Sequence, residues 1–372
     1  MNAHLRLRDA SRRCPKRMVY GPCGGVRPDG GCEVPGIPCS FAADPDGVRA
    51  LAFSTDDIDA PESARASGDA LAVGARTAAA TAFAVRVATG AVITADLPVR
   101  TADPGVLAEA GARLAGLTAV IAGEPSGVRD ALSPTHKALV LTGAGATVLT
   151  GLTCRDRNRV AIEGELAALA DLGVAGVLAV TGDHPSSTAL PHAQPVFDLD
   201  SPRVAALARR AGLFVAVAEQ PSAPPIAYRP ARLALKARAG AELGILNLCG
   251  DISDIAAFAG ALAETDTPIP LIVSVPVITS GSAARRLATL PGATLPPGVV
   301  TAVMTADDTR DAGVQAAVDW ALRALSVPGV IGVHLSAMGD DADPTGLAAV
   351  EALAQTAALL RARRTAAAET AA

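Results

Sequence analysis

Four cysteines near the start of the chain carry its most distinctive chemistry. Cys14, Cys23, Cys32 and Cys39 follow one another as C-x8-C-x8-C-x6-C, in a stretch rich in Gly and Pro and without apolar periodicity. Such a stretch cannot build a hydrophobic core of its own. Four thiols there have one dominant physical explanation, a metal whose binding supplies the folding free energy that burial cannot. The spacings are not the paired C-x2-C of zinc ribbons, and both tetrahedral zinc and a 4Fe–4S cluster accept four thiolates. A structural clip favours zinc and an electron-entry centre favours the cluster, so the choice stays open. Arg12, Arg13, Lys16 and Arg17 would offset part of the thiolate charge. The other two cysteines, Cys154 and Cys249, close apolar runs and read as buried thiols.

A second set of reactive groups ends one apolar run after another: Asp96, Glu124, Arg155 with Asp156, Asp183 with His184, Glu219 with Gln220, Asn247, and His334 with Ser336. Carboxylates suit proton transfer and amides suit paired hydrogen bonds. His184, His192 and His334 are not grouped at metal-ligand spacing, and His334 is expected to pack at the rim of its strand.

The runs that must position these groups are Ala91–Leu97, Ala119–Gly123, Thr147–Thr153, Gly176–Gly182, Leu213–Gln220, Leu243–Cys249, Leu271–Ile278 and Val330–Ala337. They alternate with helical stretches, and continuous apolar strands alternating with helices mean a parallel sheet covered on both faces. Eight such units match a (β/α)8 TIM barrel, whose active sites lie at the C-terminal ends of the strands. A doubly wound open sheet is the runner-up, but no strand leads into a GxGxxG turn. The expected domains are a cysteine-rich metal module over 1–43, an acidic linker over 44–69 and the barrel over 70–372. The barrel is expected to open on a helix over Ala70–Thr89, ended by Gly90, and to close on a frayed Ala- and Arg-rich tail from about Arg361.

Composition narrows the class further. Hydrophobic residues make up 50% of the 372 and aromatics only 2%, so the core must be aliphatic. The net charge of -5 argues against a nucleic-acid partner. No apolar run reaches the roughly 18–20 residues of a membrane span, and the polar, basic start is not a secretory signal. The expected location is the cytoplasm, where clustered cysteines are more often metal ligands than disulfides.

Several motifs then fall in order. They are GLTCRDRNR from Gly151 to Arg159, TGDHP from Thr181, PVFDLDS from Pro195, RLALKARAGA from Arg232 and GVHL from Gly332. In this order they resemble the methylenetetrahydrofolate reductase family, in its TCRDRN-type branch, over about residues 85–360. The N-terminal motifs CPK from Cys14, GPCGG from Gly21 and GCEV from Gly31 resemble the cysteine-rich domain fused to or partnered with some bacterial members.

The resemblance implies reduction of 5,10-methylenetetrahydrofolate to 5-methyltetrahydrofolate by hydride transfer through a flavin, FAD or FMN. NAD(P)H or a redox partner protein would be the donor. It implies that Thr153, Arg155, Gly182 and Lys236 face the flavin, Lys236 at its phosphate. Asp183 would bind the pterin and tune the flavin. Asn247 stands where the family has a folate-binding Gln, and Asp96 where it has a Glu that serves as proton donor. Asp96 is shorter than Glu by about 1.5 Å of reach, and a misplacement of that order can cost about 100-fold in rate. Gly151 replaces a usual His, and the fifth strand ends in Glu219-Gln220 without the common Asn or Tyr pattern. These departures motivate an alternative, a pterin-binding barrel or redox-partner subunit that has lost the hydride chemistry. Oligomeric state is not readable from the chain.

Overall fold

A computed structural model describes residues 10–42, 44, 48, 53, 74–99, 101–124, 131–290, 292–296, 298–340 and 342–371. Eight parallel strands close in sequence order into a barrel. They are β1 (Val92–Asp96), β2 (Ala119–Ala122), β3 (Val148–Thr153), β4 (Gly176–Val180), β5 (Phe214–Glu219), β6 (Leu243–Leu246), β7 (Leu271–Pro276) and β8 (Val330–Ser336). The ring closes where Thr94 of β1 pairs with His334 of β8. Each expected run contains its strand, shortened by one to three residues at an end where the chain turns away from its neighbours.

The strands read as continuous apolar runs because both of their faces are buried, the outer one by helices and the inner one by side chains from other strands. The helices begin where the sequence supplies a capping oxygen. Asp103, Ser133, Asn158, Asp251, Ser280 and Asp308 each accept a backbone N–H in the first turn that follows. Asn158 of the TCRDRN run is therefore a helix cap for Arg159–Asp171.

The opening helix is shorter than expected. It spans Ala78–Ala88, because Thr77 is extended and caps it by accepting from Ala80 N–H. The first residues of the expected Ala70–Thr89 helix, and most of the expected 44–69 linker, lie outside the described residues. Val48 and Phe53 of that linker are not solvent-facing spacers: Val48 is buried beside Met18, Phe41 and Tyr228, and the Phe53 ring lies 5.6 Å from that of Tyr20. The tail also departs from expectation. Helix Leu347–Ala371 runs on past Arg361, because Arg361 donates to Gly116 O at 2.7 Å and Arg363 pairs with Asp319 at 2.6 Å. Among the described residues no helix is long and apolar enough to cross a membrane.

Candidate active site at the covered barrel mouth

The C-terminal ends of β2 to β6 surround a cavity of about 300 Å³. From the barrel it is lined by Gly123 and Glu124, by Gly151, Thr153 and Arg155, by Thr181 to Asp183 and Ala218 to Gln220, and by Arg232, Lys236 and Asn247. From the cysteine segment it is lined by Lys16, Cys23, Gly24, Gly25 and Glu33. The N-terminal segment is thus a roof over the barrel mouth. Its contacts with the barrel join residues far apart in sequence. Val19 N–H donates to the fully buried Asp200 at 3.0 Å, and Tyr228 O–H donates to Tyr20 O at 3.3 Å. His184 N–H donates to Glu33 at 2.6 Å. Glu33 also takes Lys16 at 2.5 Å in a buried pair. Burial works against the Lys16 charge, but Cys23, Glu33 and Asp183 hold its pKa above the ordinary lysine value.

Beneath the roof stands a charge cluster built on Glu219. Its carboxylate is fully buried and takes Arg232 at 2.7 Å, Lys236 at 2.9 Å and Arg229 at 3.3 Å. Burial alone would push the Glu219 pKa up; Arg232, Lys236 and Arg229 together hold it well below the carboxylate range. Three cations on one anion leave a surplus of positive charge. Burial, followed by the neighbouring Arg232, pushes Lys236 down to about 7 in spite of Glu219. The buried Arg232 Nε has no hydrogen-bond partner among the described residues. Arg232 and Lys236 line the cavity together with Glu219 itself, and the cations outnumber the carboxylate, which suits the wall to an anion.

The opposite wall is organised by Glu124. One carboxylate oxygen accepts from both Thr153 N–H and Thr153 O–H at 2.8 Å, and the other accepts from Arg157 at 2.6 Å. Arg155 pairs with Asp156 at 2.7 Å. Gly182 has a φ of +86°, and a Cβ there would stand 2.9 Å from the Thr153 Cβ, so only glycine fits between the strand ends. At Gly151 a Cβ would come within 2.8 Å of the Gly123 Cα. A side chain there requires β2 and β3 to move apart, which explains the glycine without reference to chemistry. A second cavity of about 230 Å³ lies behind Glu124 and Arg155, against Lys137, Arg157 and Leu190.

Asp96 lies on β1 and does not line the mouth cavity. Its carboxylate meets His334 Nε2 at 3.0 Å and accepts from Ser336 O–H at 2.6 Å, while His334 Nδ1 meets the buried Thr94 hydroxyl at 3.0 Å. Burial raises the Asp96 pKa, but the His334 charge and the hydrogen bonds from His334 and Ser336 together hold it below the ordinary value. His334 does more than the rim packing expected of it. The signal available in the sequence was its alternation with Ser336 on one face of β8.

All four N-terminal cysteines are free thiols and line one small cavity of about 20 Å³, together with Lys16, Glu33 and Phe41. Among the described residues no group of three or more His, Cys, Asp or Glu side chains is arranged to hold a metal ion as it stands. Cys23 is the one of the four that also lines the mouth cavity. Burial pushes the Cys14 thiol up to about 11. Cys154 and Cys249 are buried, as expected of packing thiols.

The family model described as methylenetetrahydrofolate reductase matches residues 113–346, more than half of the chain. The chain belongs to the methylenetetrahydrofolate reductase family. A second model, described as methylene-tetrahydrofolate reductase C terminal, matches residues 10–55, at the other end of this chain from the position its description names. No curated protein matches the chain. Solved structures similar to it include oxaloacetate acetylhydrolase, at 12% identity and a TM-score of 0.42, covering 70% of this chain and 80% of that one. A putative lyase/mutase from Burkholderia cenocepacia is 17% identical, with a TM-score of 0.40, and covers 78% of this chain and 88% of that one. Mycobacterium tuberculosis tryptophan synthase is 15% identical, with a TM-score of 0.40, over 77% and 96% of the two chains.

In this reductase-family barrel, the expected positions Thr153, Arg155, Gly182, Asp183, Lys236 and Asn247 all line the mouth cavity. Asp96 stands apart from them on the β1–β8 side. Within the TCRDRN run, Arg159 pairs with Glu163 of its own helix at 2.8 Å, whereas Arg157 is held by Glu124 beyond β2. Glu124, singled out in the sequence as a strand-end carboxylate, lines the same cavity, as does Lys16, expected there only to offset thiolate charge; Glu33 and Arg232, which also line it, were given no site role by the sequence reading.

Proposed function

We propose that this chain reduces 5,10-methylenetetrahydrofolate to 5-methyltetrahydrofolate at the covered barrel mouth. The observation that carries this reading is the convergence of Thr153, Arg155, Gly182, Asp183, Lys236 and Asn247 on one cavity, in a barrel of the reductase family. Asp183 and Asn247 would bind the pterin edge, where a carboxylate and an amide can take the paired hydrogen bonds that such a ring offers. Asp96 would face the bridging carbon from the β1 side, with the roof segment excluding water.

The residues present fit a phosphate-bearing flavin. The buried surplus of positive charge and the unpartnered Arg232 Nε suit its phosphate, which Arg232 and Lys236 would hold. When bound, FAD or FMN supplies the hydride chemistry, with NAD(P)H or a redox partner protein as its source of electrons. The four cysteines would hold zinc or a 4Fe–4S cluster, and their convergence on one cavity supports that donor set. Because Cys23 lines both cavities, a centre held there would adjoin the mouth, which favours electron entry over a remote clip. The TCRDRN-type branch and the cytoplasmic location belong to the same reading.

The test is anaerobic NAD(P)H consumption by purified, metal-analysed protein, with and without methylenetetrahydrofolate, and with methylated product followed by chromatography. Folate-dependent consumption with product formation is expected, and it should fall at least about 10-fold in Asp183→Asn. Tight folate binding with no turnover under NAD(P)H or a chemical reductant would favour the pterin-binding alternative instead.

A further inference from the structure

The roof reaches the corner that carries Asp183 through one side chain. Glu33 uses both of its carboxylate oxygens: Oε1 accepts from His184 N–H at 2.6 Å, while Oε2 meets Lys16 Nζ at 2.5 Å and the Cys23 thiol at 3.9 Å. The Lys16 and Glu33 side chains are 5% and 4% exposed, so the pair is shielded from water. Gly25 leaves the room for it, because a Cβ there would collide with the Glu33 carboxylate. Lys16, Cys23, Gly25 and Glu33 line both the mouth cavity and the small cavity that the four cysteines share. They form the wall between the two.

On the barrel side of that wall, His184 follows Asp183 directly beyond β4. Its Nδ1 accepts from Ser186 N–H at 3.2 Å, and its ring stacks on the buried Phe197 at 6.1 Å. Among the described residues the Glu33 bond is the one hydrogen bond from the roof to this corner, and none is made to the Asp183 carboxylate itself. Asp183 instead helps to hold the Lys16 charge, as do Cys23 and Glu33. Lys16 therefore lies in the field of the cysteine cavity and of the mouth at once.

We propose that the Lys16–Glu33 pair positions Asp183 and couples it to the cysteine centre, so that folate binds tightly when the centre is loaded and weakly when it is empty. This rests on the reductase reading and on its four-thiolate centre. A thiol donates to a carboxylate, and a metal-ligated thiolate does not. Loading therefore takes the Cys23 donor away from Glu33 and leaves Lys16 as the partner of Oε2. Lys16 then has the Cys23 sulfur, Glu33 and Asp183 as three anionic neighbours in a site shielded from water, where such attraction is strong. Metal binding is also folding free energy for a segment without a core of its own. An empty segment loosens, and His184 N–H loses its acceptor. The two states thus make different contacts beside Asp183, which is what a coupling between sites requires. Lys16 and Glu33 are positioning residues in this scheme, because they act on the folate ring through Asp183.

The experiment measures binding of 5-methyltetrahydrofolate to the full chain, purified anaerobically and analysed for metal, before and after a chelator has removed the metal. Removal should weaken binding about 10-fold. Coupling is reciprocal, so saturating 5-methyltetrahydrofolate should raise about 10-fold the chelator concentration that strips half of the metal. In Glu33→Gln the metal should stay bound, folate should bind as weakly to the loaded protein as to the empty one, and folate should no longer protect the metal. The double variant Lys16→Met with Glu33→Gln removes both buried charges together and should behave likewise, which keeps the test open where the single variant fails to fold around an unpaired Lys16. Asn247→Ala is the control: it should weaken folate binding and keep the dependence on metal. Equal folate affinity with and without metal in the wild type, or a metal dependence that survives in both Glu33 variants, would overturn the coupling and leave the reductase reading standing. Purified protein without metal at the four cysteines would overturn the centre and the coupling together. Absence of folate binding in every state would overturn the reductase reading and the coupling with it.

Discussion

The two ends of this barrel are closed in opposite ways. At the N-terminal end of the strands, helix Ala78–Ala88 lays Ala80, Phe83 and Val87 against Val92, Leu149, Phe214, Leu243 and Ile245. The Phe83 and Phe214 rings meet edge-on at 4.8 Å. The plug comes from the chain immediately before β1 and is held by apolar burial. At the other end the roof is held by hydrogen bonds to Asp200, His184, Tyr228 and Arg229, and it leaves a cavity beneath it. An apolar plug is tolerant of shape and indifferent to charge, whereas a polar roof requires every group to be satisfied. The stable end supports the fold, and the end with charge to spare is the one that can bind an anionic ligand.

The sharpest way to break this contrast is Glu219→Gln. It removes the one anion from three buried cations and should cost about 3–5 kcal/mol, read by denaturant unfolding. It should also loosen the roof, seen as faster proteolysis within residues 10–42. The same carboxylate predicts a pH dependence. Its pKa is held low in the folded protein, so its stabilisation is present above the ordinary carboxylate value and is lost as pH falls through the lower folded one. The acid limb of stability should be shallower in the variant than in the wild type.

At the plugged end, Phe83→Ala should cost about 3 kcal/mol, toward the lower end for a buried Phe because the plug helix can settle into the gap. It should leave folate binding unchanged. Loss of binding in Phe83→Ala would mean that the two ends are coupled and the contrast is wrong. Glu33→Gln sits at the seam and should cost about 2 kcal/mol, because it weakens the bonds to Lys16 and His184 N–H. It should lower folate affinity as well. The smallest effect is expected from Thr77→Ala, which removes the plug helix cap at about 1 kcal/mol and changes nothing at the mouth.

The barrel was legible because its signal is local. Each strand is a run of aliphatic residues ended by a polar one, and this is what burial on both faces demands. The Asp183 and Asn247 positions were legible for the same reason, since the end of a barrel strand is a place as well as a pattern. The roof was not legible. Val19 meets Asp200 across 181 positions of sequence, and Glu33 meets His184 across 151. Nothing in the short Gly-rich segment announces that it borrows Tyr228 from the barrel for its core. The pairing of Asp96 with His334 spans 238 positions and depends on closure of the ring between β1 and β8. Once the barrel is granted, Thr94 lies opposite His334 by register, but the carboxylate–imidazole contact is a matter of side-chain geometry. At Gly151, where the resemblance would put a histidine, the close approach of two strands gives glycine a physical reason that the sequence did not announce.

The account stands on the covered mouth being a folate site. The most direct test is equilibrium binding of 5-methyltetrahydrofolate to the full chain, under anaerobic conditions and without any electron donor. Saturable one-site binding that weakens at least about 10-fold in Asp183→Asn, and less in Asn247→Ala, is the predicted result. No saturable binding, or binding indifferent to Asp183→Asn, would contradict it.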